Sequence, residues 1–323
     1  MASKFPSEAE VVIVGVGGIV GSMIAYWLAE LGQKNIVGLE KSSVIPSDMG
    51  STAHASDFVY NTTHDKLGNW STAYSRNFYD DNGFFLKKGG LEICRKDDDV
   101  LWEELKRKVA SGKAFGTNVR LISAAEAKEK FPLLDEDSIR GAMWDPDAGL
   151  VTPRSQDVVR FAVEDAKEKG ALKTYADTPA TGFEIENGRI TAVKTERGTI
   201  KTDKVVIASG IWGPLVGEMA GVSVPLMPVE HPLLFFGPLP EAQGAEDFLV
   251  YPLMRDQGNS AYVRDTGKLH GGMLEWGFYE DKEPRLVDAE DIGNPDKTMM
   301  SDSMRYLDLE EVAEPLEKAF ETT

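Results

Sequence analysis

The sequence predicts a mixed α/β (α+β) chain, with a Rossmann βαβ unit at its start and a mostly antiparallel part further on. Three observations predict it. The β-branched run EVVIV, residues 10–14, stops at glycine and passes through GVGGIVG into SMIAYWLAELG, whose apolar residues have helical spacing. A second strand, NIVGLEK, then ends on an acidic residue, Glu40. Later, TGFEIENGRITAVKTERGTIKTDKVVIASG carries two hairpin signals, ENGR and ERGT.

Taken in order, residues 10–14 read as a buried strand and residues 22–32 as a helix stopped by Gly32. Such a unit presents unbonded N–H groups and a positive dipole end to a diphosphate. A carboxylate about 20 residues later can accept hydrogen bonds from ribose hydroxyls. The glycine pattern departs from GxGxxG: counted from Gly15 the sixth position is Val20, and counted from position 16 the first is Val16. Gly15 and Gly17 suit the strand side and Gly18 and Gly21 the helix side, so one extra residue is expected between them.

From KKGGLEI onward the texture changes. GGLEI reads as a strand, EELKRKVASG as a charged helix with a solvated face, and SAAEAKEKFPLL as a helix opened by a Ser123–Glu126 capping box. DPDAGLVTP reads as a turn-rich loop, and SQDVVRFAVEDAKEKG as an amphipathic helix closed by Gly170. Residues 173–208 read as short strands, 248–254 and 260–278 as antiparallel strands, and the acidic DLEEVAEPLEKAFETT as a helix.

Composition narrows the function. At 323 residues, 42% hydrophobic and 27% charged, the chain is an ordinary globular protein of about two domains. A net charge of −18 argues against a nucleic-acid partner, which needs a basic face. No apolar run approaches the roughly 18 residues that span a bilayer, and MASKFPSEAE lacks a secretory core, so the cytoplasm is the expected location. Cys94 is the only cysteine and is expected to be a buried structural thiol. His54, His64, His231 and His270 show no metal-binding spacing, so no metal is expected. His64 and His270 are read as surface residues.

VVIVG…GIVGSMIAYWLAELG, Glu40-Lys41, GSTAHA, KKGGLEI, PLL…DPDAGLVTP, KVVIASGIWGPLVGEMAG and PLMPVEHP occur in this order. Together they resemble the FAD-dependent D-amino-acid-oxidase superfamily, in its dimethylglycine oxidase/dehydrogenase and sarcosine dehydrogenase branch. The resemblance covers nearly the whole chain. It implies a glutathione-reductase-like FAD-binding domain over 8–88 and 145–222, interleaved with a mostly antiparallel-sheet substrate domain over 89–144 and 223–323. It further implies oxidative demethylation of an N-methylated amino acid such as dimethylglycine or sarcosine, with an electron-transfer flavoprotein or oxygen as acceptor. The alternatives are a non-covalent amino-acid oxidase acting on glycine or a D-amino acid, and a non-catalytic flavoprotein subunit.

By the same resemblance the FAD diphosphate rests on Gly15, Gly17, Gly18, Ile19 and Gly21, and the ribose faces Glu40 and Lys41. His54, in the segment Gly50-Ser51-Thr52-Ala53-His54, corresponds to the residue carrying a covalent link to the flavin 8α-methyl. Ser51 and Thr52 can donate to flavin oxygens, and Gly50, Ser51 and Ala53 leave room for close approach. Phe58 and Trp212 are expected beside the cofactor, and Ala180 on the adenine side through its backbone. His231, in PVEHP, and Tyr262, in AYVRD, are expected at the reacting amine, which must be neutral before it loses hydride. Either Arg255 or Arg264 is expected to hold a substrate carboxylate; strand alternation does not choose between them. The family's closing Thr-Pro-Asp-Gly-x-Pro-x-x-Gly turn is not found after residue 280, so the chain is expected to be an N-terminal piece of a longer protein.

Overall fold

In the computed structural model the run Val11–Val14 forms strand β1, followed by helix α1 (Ile19–Glu30) and strand β2 (Ile36–Leu39). The structure describes residues 5–60, 64–244, 246–279, 285–288, 291–292, 299–301, 304–306 and 309–323. Val11 and Ile13 pack on one face of β1, Val12 and Val14 on the other, and all four are buried. That is why the strand reads as an unbroken apolar run rather than an alternating one. Each such burial contributes about 1.5–3 kcal/mol, an upper estimate. β1 and β2 lie in a four-stranded parallel sheet between Val205–Ile207 and Leu172–Tyr175.

Helix α1 and the helix Ser155–Glu168 cover one face of this sheet, and Val193 and Ile200 of a three-stranded meander cover the other. α1 turns Gly21, Ser22, Ala25 and Ala29 inward, so its backbone comes close to the sheet. Both helices end as their glycines predict. Gln33 N–H bonds Leu28 O and Gly32 N–H bonds Ala29 O, with Gly32 at φ +88°. Ala171 and Gly170 repeat the pattern on Ala166 and Lys167. The first meander turn is Asn187-Gly188, with φ +52° and +76°, the handedness a two-residue hairpin requires.

The backbone divides into two units. The first takes Met1–Ser56, Arg154–Val229 and Leu286–Tyr306; the second takes Asp57–Pro153, Glu230–Arg285 and Leu307–Thr323. The second unit is built on a seven-stranded sheet in the order Leu233–Phe236, Leu274–Phe278, Ala261–Asp265, Leu253–Asp256, Gly90–Arg95, Ile139–Asp145, Arg120–Ser123. Every neighbouring pair is antiparallel except Leu253–Asp256 with Gly90–Arg95. Leu91, Ile93, Met254, Val263, Trp276 and Phe278 form its apolar face. Alternation sends Glu92, Arg255, Tyr262, Arg264 and Glu275 to the other face. Cys94 is fully buried there, and burial pushes its thiol up to about 11.

Several elements depart from the sequence reading, among them the strands Arg120–Ser123, Ile139–Asp145 and Leu233–Phe236 and the helix Gly213–Met219. DPDAGLVTP is not only loop: Gly149–Val151 is the central strand of a small sheet, between Phe58–Val59 and Phe85–Lys87. A three-residue strand is too short to show a period. Helix Lys66–Asp81 lies outside the expected elements; only its Asn69 is buried, so it has no inward apolar stripe to read, although Asp65 caps Gly68 N–H at 2.7 Å. Among the described residues no helix is long and apolar enough to cross a membrane.

A β-carbon at Gly21 would stand 2.1 Å from the Gly15 carbonyl oxygen, a backbone atom with nowhere to go. Gly21→Ala is therefore expected to destabilise the first unit by about 1–3 kcal/mol, read as a lowered urea midpoint. An unchanged midpoint would show that α1 does not pack this closely.

Candidate functional site

The first unit carries a cavity of about 680 Å³ at the carboxyl ends of its parallel strands. That is where open α/β sheets bind ligands, and the volume lies in the ordinary range for small-molecule sites. One wall is the glycine turn after β1, the next is the end of β2, and a third is the loop from Ser47 to Thr52. Thr178–Ala180 and the segment Ile207–Gly213 complete it.

The glycine turn is held from β2. Glu40, buried, accepts from Gly17 N–H at 2.8 Å through Oε2 and from Ser42 N–H at 3.0 Å through Oε1. A β-carbon at Gly17 would sit 2.5 Å from that carboxylate. Gly15, at φ +96°, lets the chain turn against Ala208. The departure from GxGxxG also has a place: Val16 is fully buried against Gly38 of β2, where a β-carbon would lie 2.8 Å from the valine. The bulk added on the turn is matched by a glycine on the facing strand.

Gly18 is the N-cap of α1, and a helix start leaves N–H groups without intrahelical partners. Thr52 Oγ1 accepts that of Ile19 at 3.1 Å, tying the 47–52 loop to the helix, while Gly18 and Val20 line the cavity. Two buried polar atoms of cavity-lining residues, Ser209 Oγ and Trp212 Nε1, have no hydrogen-bond partner among the described residues. A buried donor left unmet costs about 1–3 kcal/mol, so both atoms mark where a polar ligand fits. Lys41 Nζ stands 4.9 Å from the Trp212 ring centroid, across the same cavity. Open helix-start amides, a buried carboxylate with lone pairs to spare and two unmet polar atoms fit a dinucleotide such as FAD.

Of the residues expected at the cofactor, the structure brings Gly15, Gly18, Ile19, Glu40, Lys41, Ser51, Thr52, Ala180 and Trp212 onto this one cavity. Gly17 and Gly21 stand behind the turn as packing positions. The lining ends at Thr52; Ala53 and His54 follow in the same loop, outside it. Arg154 Nη2 donates to Ala53 O at 3.3 Å and Ala55 O at 2.9 Å, so it grips the loop on both sides of His54. Burial, and then the Arg154 charge, hold the His54 pKa below its ordinary 6.5, against a smaller pull from Asp48. Ser47, Thr178 and Ser209, which belong to none of the expected site residues, also line the cavity. Ser209 lay within reach, since ASG closes a strand at glycine as the first strand does.

Phe58, His231 and Tyr262 belong to the second unit. Tyr262 lies on the polar sheet face, directly opposite Arg255 on one side and Gly277 on the other. A β-carbon at Gly277 would meet the Tyr262 ring at 1.9 Å, so the ring lies over that glycine. Phe58 meets Tyr262 edge-on, with centroids 5.3 Å apart. The two arginines separate by pairing. Arg264 is buried and bonded to Glu275 at 2.5 Å, whereas Arg255 lies over the Tyr60 ring at 4.2 Å and forms no ion pair among the described residues. Glu92, opposite Arg255, is itself taken by Lys108 at 2.5 Å, both buried.

Residues 10–315 match the family described as FAD dependent oxidoreductase. Human sarcosine dehydrogenase, mitochondrial, is 30% identical over 85% of this chain and 29% of its own length. Rat dimethylglycine dehydrogenase, mitochondrial, is 28% identical over 98% of this chain and 36% of its own. The chain thus spans about a third of the length of these curated relatives. Among solved structures, L-proline dehydrogenase from P. horikoshii superposes with a TM-score of 0.75 at 30% identity, over 87% of this chain and 71% of that one.

Two outcomes are expected. Glu40→Gln sets an amide against one of the two N–H donors and lowers FAD affinity about tenfold, a loss near 1.4 kcal/mol, in a fluorescence titration. Affinity equal to wild type would detach the glycine turn from cofactor binding. The His54 ring, followed by NMR, titrates below 6.5. Because its folded pKa lies under the unfolded one, its neutral native form stabilises the fold above pH 6.5, and that contribution is lost as pH falls. A midpoint above 6.5 would contradict the desolvation and the Arg154 charge described.

Proposed function

The chain belongs to the FAD dependent oxidoreductase family, and on that premise we propose that it oxidises the N-methyl group of an amino acid such as dimethylglycine or sarcosine. FAD, when bound, supplies a hydride acceptor at N5 for the N-methyl carbon, and hydrolysis of the oxidised product yields formaldehyde and the demethylated amine. An electron-transfer flavoprotein or oxygen is the proposed final acceptor, and the cytoplasm the proposed compartment; both curated relatives are named as mitochondrial proteins.

The substrate reading is carried by Arg255. An N-methylated amino acid presents a carboxylate, and this guanidinium, without an ion pair among the described residues, lies in the same sheet row as Tyr262. Guanidinium and carboxylate form paired, charge-assisted hydrogen bonds. Arg264 is already committed to Glu275 and is not proposed for this role. The amine must shed its proton before its neighbouring carbon can give up hydride. His231 is proposed to take that proton, an imidazole being suited to it at neutral pH. Tyr262, fixed over Gly277, is proposed to orient the amine.

For the cofactor, Glu40 and the turn it holds would take the ribose and diphosphate, and Ser209 and Trp212 would meet polar atoms of the dinucleotide. A covalent link through His54 is proposed because it needs a neutral imidazole, and burial with Arg154 supports that state. Thr52 can accept from Ile19 N–H and still donate its own hydroxyl hydrogen.

Acid-precipitated, FAD-loaded protein is expected to keep its yellow, fluorescent flavin, and the His54→Ala pellet to lose it; a colourless wild-type pellet rejects the covalent link alone. Arg255→Met is expected to raise KM for dimethylglycine or sarcosine by about 10–100-fold, the loss of one charged hydrogen-bonded pair, with a smaller change in kcat. Equal KM values would move the carboxylate elsewhere.

A further inference from the structure

We propose that Tyr279 is a positioning residue that sets the His231 imidazole against Tyr262; the inference rests on the reading of those two residues as the pair that handles the amine. Nothing in the sequence reading pointed to Tyr279, which stands outside the expected motifs.

The strand order places it. Leu274–Phe278 runs between Leu233–Phe236 on one side and Ala261–Asp265 on the other. Tyr279 is the first residue past the end of this middle strand. His231 stands two residues before the strand on one flank, and Tyr262 near the start of the strand on the other. The register fixes all three, through Leu233 opposite Gly277 and Tyr262 opposite Gly277. Two backbone bonds hold the tip: Phe278 N–H to Pro232 O at 3.1 Å and Tyr279 N–H to Ser260 O at 2.7 Å. The first of these acceptors immediately follows His231 in the chain; the second lies two residues before Tyr262.

From that anchored position the Tyr279 ring reaches both neighbours. Its centroid lies 4.7 Å from that of His231, with the planes at 72°, and 5.7 Å from that of Tyr262, with the planes at 51°. Phe58 packs edge-on against Tyr262 as well. Tyr262 is thus held by Gly277 beneath and by two rings. His231 is exposed and sits outside the regular strands, and ring contact with a backbone-anchored neighbour narrows its orientations. The ring, rather than the hydroxyl, makes these contacts. That separates a positioning role from a direct one: phenylalanine should replace tyrosine, and leucine should not.

The test uses FAD-loaded protein, anaerobic mixing with dimethylglycine or sarcosine, and NMR of the His231 ring. Tyr279→Leu is expected to slow flavin reduction on the order of 10–100-fold, as a small misplacement of a reacting group does, while substrate affinity changes little. The His231 ring resonances should shift in Tyr279→Leu as the neighbouring ring current is lost, and Tyr279→Phe should restore both rate and resonances. Wild-type rate or unmoved His231 resonances in Tyr279→Leu would overturn the proposal. So would Tyr279→Phe as slow as Tyr279→Leu, which would make the hydroxyl a direct participant. His231→Gln and Tyr262→Phe run alongside: if neither slows reduction, the underlying reading has failed. If they slow it and Tyr279→Leu does not, only the positioning role has failed.

Discussion

The cofactor unit depends on one carboxylate. Glu40 leaves the end of β2 and accepts the N–H of Gly17 in the turn after β1 and that of Ser42 in its own loop. Backbone bonds from Gly15 and Val16 N–H to Leu39 O hold the first half of the glycine turn, and Glu40 holds the second. With it, the turn has one shape, and α1 starts where its first amides face the cavity. The same geometry forbids a side chain at Gly17, which would collide with the carboxylate, and at Gly21, which would collide with Gly15. Two glycines and one glutamate therefore form a single constraint. The Thr52 cap on Ile19 extends it to the loop that leads toward His54.

Local chemistry made much of this legible in the sequence. Both glycine-stopped helices, the Ser123 cap on Glu126 N–H and the Asn187-Gly188 turn rest on interactions between residues a few positions apart, which a sequence displays directly. What escaped rests on contacts between distant positions. The displaced glycine is an example. From the sequence, Val16 is an insertion in a motif; in the fold it is a buried side chain whose space comes from Gly38, 22 positions later and on another strand. Thr52 is the same kind of case, since a cap 33 residues from the helix it serves has no sequence signature.

The substrate-side sheet shows a different limit. Period two puts Arg255 and Arg264 on one face, because Arg255 opposes Tyr262 and Arg264 follows Tyr262 by two. Alternation therefore has nothing to say about which arginine is available. Glu275 makes the distinction by standing opposite Arg264 and pairing with it in a nearly dry setting. Removing one partner of such a pair would strand the other charge, which gives that pair a structural role. Lys108 and Glu92 make a second buried pair in the same way, and Arg255 stands over Tyr60 without an ion pair among the described residues. An overall charge of −18 hides this local arrangement entirely.

Arg154 shows how one side chain can serve geometry and chemistry together. Its guanidinium donates to the carbonyls of Ala53 and Ala55, the residues on either side of His54, and so limits how the peptide bearing that ring can turn. The same positive charge, next to an imidazole that is already partly desolvated, makes a second positive charge there unfavourable. Both bonds come from the one nitrogen Nη2, so it is the position of the guanidinium rather than its fork that joins the two carbonyls. An asparagine would bring the hydrogen bonds without the charge. The proposed linkage needs both: a ring nitrogen with its lone pair free, on a loop that does not swing. Arg154 supplies both from one position.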